Sequence, residues 1–187
     1  AKEAESHWIS FMVIDNAFPW YPSANPPKPA INAARVTVAH EFHHAIQMGN
    51  YTFRDSDIYF YELTSTAMEE FVYNTVNDYY AYMSDYFRNS DRSFSLNNGY
   101  NLAIWHIFLK DRFGFEIIKR QWELMTQMRA LDAIAASLVE FDASLRTELN
   151  KFGVWTYFTG SRRIPGEYFI EAQNYPLLRI NTTLVFN

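Results

Sequence analysis

The sequence predicts a mainly α-helical fold with short strands near its two ends. Apolar side chains recur at helical spacing in five segments between residues 32 and 150, and strand-like runs occur only near the termini. The chain has 187 residues, of which 49% are hydrophobic and 18% aromatic. This composition is enough for one folded domain with a sizeable core, so we expect residues 1–187 to form a single domain.

The order of elements follows from local composition. Residues 8–14 (Trp-Ile-Ser-Phe-Met-Val-Ile) predict a strand, and the Pro-rich residues 16–30 predict a loop. The first helix is expected to run from an N-cap at Asn32 to Gly49-Asn50. Further helices are predicted over residues 58–82, 98–112, 116–127 and 131–150, a turn-rich passage over residues 153–166, and a weak strand over residues 177–186.

A single strand at each terminus cannot satisfy its own edges. Either the two strands pair with each other or, as we expect, the missing partners lie in other parts of a longer protein, which would be a larger α+β protein. The chain begins with Ala, as expected of a processed form or of a piece of a longer chain.

Charge and composition restrict the classes of function. The formal net charge is -5 and no basic run is long enough to favour a nucleic-acid partner. No apolar run reaches the length of a membrane span. The chain contains no Cys, so any metal ion must be bound by His, Asp or Glu.

The most informative stretch is residues 36–48, which contains His-Glu-x-x-His at residues 40, 41 and 44. Two His four residues apart lie on one helical face and can bind a single zinc ion. Glu41 reaches the same cleft, where a carboxylate can take a proton from a water that the metal activates. The motif predicts zinc-dependent hydrolysis of peptide bonds.

A catalytic zinc site needs a third protein ligand. One class of zinc peptidases has Gly and a third His where this chain has Gln47 and Asn50, so that class is excluded. In another class the ligand is a Glu from the next helix. Glu62 lies near the start of that helix, which can turn back antiparallel and direct the carboxylate to the ion.

Four further side chains compete for roles at this site. Glu69 and Glu70 lie two turns beyond Glu62; Glu69 is either the ligand or a carboxylate that orients a ligand His, and Glu70 is expected on a solvated face. His43 points about 100 degrees away from His44, so we expect it to pack or to support a ligand. His106 lies in an apolar stretch and is expected in the core, or at the cleft as a group that stabilises an oxyanion.

The segment His40-Glu41-Phe42-His43-His44 followed by Glu62 resembles the gluzincin metallopeptidases, the thermolysin-like and aminopeptidase-like zinc enzymes. This likeness covers residues 36–114. Together with Phe-Leu-x-x-Arg-Phe-Gly and Trp-x-Tyr-Phe-Thr-Gly further on, the chain is similar to poorly characterised microbial secreted metalloproteases up to about residue 159.

The resemblance implies a zincin-like catalytic domain that acts on a peptide or protein substrate and is secreted or extracellular. It implies that His40, His44 and Glu62 bind Zn²⁺, with Glu41 as general base and acid. By similarity to the aminopeptidase branch, Tyr100 would donate a hydrogen bond to the oxyanion, although the Lys-Gly that follows this Tyr there is absent; the alternative role is packing. The strand at residues 8–14 would bind the peptide along its edge.

Two other classes of function remain open. The first is a catalytically silent zinc-containing domain that binds peptides or carbohydrate, against which the retention of Glu41 argues. The second is a metal-free helical interaction domain, in which the motif would be a coincidence.

Overall fold

Helices make up all the regular structure that the computed structural model describes, which covers residues 8–18 and 29–180. Within these ranges seven α-helices are joined by short turns, and no strand is formed. The predicted mainly helical fold is confirmed. The helices are α1 (Ala30–Ile46), α2 (Ile58–Val72), α3 (Tyr80–Arg88), α4 (Ala103–Phe113), α5 (Phe115–Met125), α6 (Ala130–Glu140) and α7 (Leu145–Tyr157).

Helix α2 is the centre of the fold. Between Tyr59 and Ala67 every residue except Glu62 is buried. Helix α1 packs on one side of α2 and α4 on another. A helix that is buried on nearly all sides is held in place by its neighbours, so α2 is held rigidly, and Glu62 with it.

Trp122 of α5 anchors α2 from a further side. Its ring lies 5.0 Å from that of Phe60 and 4.9 Å from that of Tyr61, measured between ring centroids. Its indole N–H donates a hydrogen bond of 3.3 Å to Thr64 Oγ1. Burying a side chain of this size contributes much of the stability of a helix contact, and the polar tip is satisfied as well.

An ion pair between a buried carboxylate and a half-exposed guanidinium fixes the start of α2. Asp57, the residue before α2, accepts hydrogen bonds of 2.7 and 2.8 Å from the Arg129 guanidinium and one of 3.3 Å from the backbone N–H of Ala130. The Asp57 side chain is 3% exposed, and these hydrogen-bond donors replace the water that the carboxylate loses on burial. The pair therefore joins the beginnings of α2 and α6.

The predicted strand at Trp8–Ile14 is wrong. These residues have no regular secondary structure, and Trp8, Ile9, Phe11 and Val13 expose their side chains to solvent. The backbone N–H of Trp8 donates to the carbonyl of Met48 at 3.2 Å. No other strand exists among the described residues to pair with this segment. For the strand predicted over residues 177–186, residues 177–180 are irregular and the rest lie outside the described residues.

Two predicted helices are each divided in two. The helix expected over residues 58–82 ends at Val72, and α3 begins only at Tyr80; the intervening turns include Asn77 with a φ of 54°. The helix expected over residues 131–150 is divided between α6 and α7, where Asp142 also has a φ of 54°. Both residue types adopt the left-handed conformation more readily than most, which stops a helix.

Helix ends differ in smaller ways from the predictions. Helix α1 begins at Ala30 instead of after an N-cap at Asn32, whose side chain accepts a hydrogen bond from Arg35. Helix α7 extends to Tyr157 through residue 153, which was predicted to begin a turn, and the Ser144 side chain caps its N-terminus. No helix that the structure describes is long and apolar enough to cross a membrane.

We expect His106 to make the fold sensitive to acid. Burial lowers the pKa of His106 from 6.5 to about 3, so below pH 6.5 the unfolded chain binds a proton that the folded state excludes. Stability therefore falls as the pH falls, by about 2 kcal/mol between pH 7 and pH 5 from this residue alone.

The double substitution His106→Leu with Gln121→Leu removes this contribution. Gln121 Oε1 is the hydrogen-bond partner of His106 Nε2 at 3.0 Å, so both partners are replaced together. In urea unfolding at the two pH values, the variant should lose about 2 kcal/mol less than the unchanged protein. Equal losses would show that His106 does not contribute to acid sensitivity.

Candidate metal centre

Three side chains from α1 and α2 meet at one point. His40 Nε2 lies 3.0 Å from His44 Nε2 and 3.1 Å from Glu62 Oε2, and His44 Nε2 lies 3.4 Å from the same oxygen. Ligand atoms around tetrahedral zinc are about 3.3 Å apart, given metal–ligand distances near 2.0–2.1 Å. These three residues could therefore hold a metal ion.

Glu69 orients His40 from the side away from this point. His40 Nδ1 lies 2.7 Å from Glu69 Oε1, and the Glu69 side chain is 7% exposed. Burial raises the pKa of Glu69, although His40 opposes the rise. With its Nδ1–H donated to this carboxylate, His40 directs Nε2 at Glu62 and His44, as in metal sites where a carboxylate supports a ligand His.

The cluster needs positive charge at its centre. Burial alone would raise the pKa of Glu62, but the neighbouring His40, His44 and Tyr100 side chains hold it well below its usual range. Burial tends to lower the pKa of His40, but the carboxylates of Glu62 and Glu69 raise it to about 9. A proton on His40 can supply that charge, and a metal ion at the same point would replace the proton.

His44 is supported by neutral groups. Its Nδ1 lies 2.8 Å from Gln47 Oε1 and 3.1 Å from Ser65 Oγ. His43 belongs to the same network, because its Nδ1 lies 3.0 Å from Ser65 Oγ. Burial and the neighbouring His residues lower the pKa of His43 to about 3, so its ring is neutral. The structure thus places His43 behind the cluster and not in it.

Tyr100 packs against the cluster, and Glu41 lies close enough for its charge to act on Tyr100. The Tyr100 ring stacks on that of His40, with centroids 5.6 Å apart and an interplanar angle of 8°. Burial together with the neighbouring Glu62 carboxylate raises the pKa of Tyr100, which keeps the phenol protonated. Glu41 is exposed, and its charge acts on Tyr100.

The structure does not bring Glu70 or His106 to the cluster. Glu70 lines a separate cavity of about 330 Å³ with Lys110 and Glu171. Burial and the charge of Glu171 raise its pKa to about 8, and Glu70 is partly buried where a solvated face was expected. His106 has no exposed surface and packs against Phe60, as expected of a core His.

Gly99 allows the turn before α4 to approach α2. Its φ is 99°, and a Cβ there would overlap the carbonyl oxygen of Tyr59 and lie 2.7 Å from Glu62 Cβ. Only Gly fits this position, and it places the next residue, Tyr100, against Glu62.

Sequence reasoning missed Gly99 and the network of Gln47 and Ser65. For Gln47 a signal existed, because it lies seven residues after His40 on the same helical stripe. Ser65 has a matching signal, three residues after Glu62.

The fold and the cluster define a helical protein with a candidate His-His-Glu metal site. The chain belongs to a family of unknown function, DUF6055, whose match covers residues 26–131. That range includes α1 to α5 and every residue of the cluster and its supporting network. Comparisons with curated proteins and with solved structures gave no match.

We expect Gly99→Ala to weaken metal binding. The added methyl forces the 99–102 turn away from α2 and shifts both Tyr100 and Glu62, so zinc affinity should fall at least about tenfold, as when groups that orient a ligand are lost. Affinity is measured by competition with a chromophoric chelator.

Gly114→Ala is the matched control. Gly114 also has a positive φ, 80°, but a Cβ there meets nothing within 4 Å. Both variants should lose about 1–3 kcal/mol of stability through backbone strain, and only Gly99→Ala should lose zinc affinity. Equal affinities in the two variants would contradict a role for Gly99 at the site.

Proposed function

We propose that this protein is a zinc-dependent peptidase in which His40, His44 and Glu62 bind the metal and Glu41 is the general base and acid. The observation that carries the proposal is the convergence of two imidazole Nε2 atoms and one carboxylate oxygen within 3.4 Å. Each imidazole has its other nitrogen engaged by a partner that orients the ring.

The set of ligand atoms favours zinc. Two imidazole nitrogens with one carboxylate oxygen are a typical ligand set of catalytic zinc, and a thiolate site is impossible because the chain has no Cys. Three protein ligands leave a coordination position open, which is what distinguishes a catalytic site from a structural one.

The surrounding side chains support hydrolysis. A bound zinc ion would supply a Lewis acid that polarises a carbonyl group and makes water more acidic. Glu41 would accept a proton from the attacking water and return it to the leaving amine. With the residues that the structure describes, the Glu41 side chain makes no hydrogen bond or ion pair, so its carboxylate is available for this exchange.

Tyr100 would act on the carbonyl oxygen of the substrate, whereas Glu41 would act on the attacking water. Its hydroxyl keeps its proton and lies next to Glu62, so it can donate a hydrogen bond to the oxygen on which negative charge develops. The resemblance of residues 36–114 to gluzincin peptidases supports this division of roles and a peptide or protein as the substrate. It also supports a secreted location.

The metal content of the purified protein tests the ligand set. We expect about one zinc per chain by elemental analysis, and loss of zinc in His44→Ala and in Glu62→Ala, because two ligands rarely hold a catalytic zinc. Glu70→Ala is the control, since Glu70 lines another cavity and should leave the zinc content unchanged. Full zinc content in Glu62→Ala would contradict the assignment of the third ligand.

Glu41→Gln separates an enzyme from a silent binding domain. The amide cannot accept the proton, so cleavage of a labelled unfolded protein should fall at least about 100-fold while the zinc content stays the same. If neither the zinc-loaded unchanged protein nor Glu41→Gln cleaves the labelled substrate or a fluorogenic peptide mixture, the catalytic proposal is wrong. The silent zinc-containing domain then becomes the better account.

A further inference from the structure

We infer that Gln47 is a positioning residue that fixes the ring of His44 with Nε2 directed at the metal, an inference that rests on the metal site proposed above. Gln47 has no exposed surface. It begins a single turn of π-helix, Gln47–Tyr51, that follows α1. Such wide turns recur at functional sites because they redirect a side chain.

The Gln47 amide can adopt one orientation only. Its nitrogen faces three acceptors: His43 Nδ1 at 2.8 Å, and the Tyr61 carbonyl and Ser65 Oγ at 3.2 Å each. The Tyr61 carbonyl can only accept, so the nitrogen must lie on that side. The amide oxygen is thereby directed at His44 Nδ1, 2.8 Å away.

This orientation decides which nitrogen of His44 carries the proton. A neutral imidazole has one donor and one acceptor nitrogen, and either can be protonated. An oxygen at hydrogen-bond distance from Nδ1 requires the Nδ1–H form, because two acceptors would otherwise face each other. The lone pair of Nε2 then faces His40 and Glu62, as a metal ligand requires.

The choice of an amide has an electrostatic reason. Glu62 and Glu69 already place two carboxylates around the cluster, so a divalent ion there would be balanced by two negative charges. A carboxylate at residue 47 would add a third charge where Gln47 is fully buried. Gln47 orients the ring without adding charge, whereas Glu69 orients His40 and supplies charge.

The test compares Gln47→Met with Gln121→Met. Both remove a buried amide that is hydrogen-bonded to a His and both leave a similar volume, but Gln121 contacts His106, which is outside the cluster. Long-range ¹H–¹⁵N NMR spectra of the metal-free protein report which nitrogen of His44 is protonated. Zinc affinity is measured separately by competition with a chelator.

In the unchanged protein and in Gln121→Met, we expect His44 in the Nδ1–H form. In Gln47→Met the signals should shift toward the Nε2–H form or a mixture, and zinc affinity should fall about 10–100-fold. Gln47→Asn, whose shorter side chain does not reach His44, should behave like Gln47→Met and serves if the Met variant does not fold. Gln47→Glu keeps the acceptor and should retain the Nδ1–H form.

Unchanged His44 spectra and unchanged zinc affinity in Gln47→Met or Gln47→Asn would overturn the inference and leave the proposed metal site intact. If the unchanged protein binds no zinc, the proposed function fails. In that case the NMR spectra still decide whether Gln47 sets the protonated nitrogen of His44, since an unaltered His44 in these variants refutes that role and an altered one supports it.

Discussion

The structure depends on the close antiparallel contact of α1 and α2, in which two polar stripes are buried against each other. His40 contacts Glu69. About two turns further along the chain, Gln47 contacts Ser65 and the Tyr61 carbonyl, which lie one and two turns before Glu69 on α2, so the helices run in opposite directions. Buried polar groups cost free energy unless each finds a partner. A slip of one helical turn would separate most of these partners, so the hydrogen bonds themselves specify the alignment of the helices.

The two helices are held very differently. Trp122, the Asp57–Arg129 ion pair and the close approach of Gly99 all act on α2, which is buried almost throughout the stretch that carries Glu62. Helix α1 exposes one side instead, where Glu41 and Phe42 face solvent. Glu62, the proposed third ligand, is therefore fixed by the core, whereas the proposed general base remains accessible, as positioned ligands and a free reacting group require.

Local patterns in the sequence predicted what depends on local spacing. Helical periodicity gave α5 nearly as the structure has it, and it gave the end of α4 but placed its start five residues too early, at 98 instead of Ala103. The four-residue spacing put His40 and His44 on one face. The divisions after Val72 and at Phe141 depend on single residues in left-handed conformations, which periodicity does not detect. At residues 8–14 the composition favoured a strand, but a strand also needs a neighbour, and composition does not reveal one.

The choice of Glu62 over Glu69 for the cluster, and the partners of Gln47, depend on how α1 and α2 cross. That is a tertiary property, so for the third ligand the sequence supplied candidates and the packing separated them.

The arrangement is difficult to explain by stability alone. The described chain already has a large apolar core around α2, and replacing buried charged groups with apolar ones of similar size is often neutral or stabilising. Here two carboxylates and three His are brought under the surface instead. One Glu69 oxygen has no hydrogen-bond partner among the described residues, and the pKa of His40 is raised to about 9. Natural folds retain such costly groups where a function requires them. Binding a metal ion at the centre of the cluster would be such a function. The same groups that cost the apoprotein stability would become ligands and their supports once an ion is bound. The candidate metal site therefore explains the buried polar groups of the α1–α2 contact better than the stability of the core does.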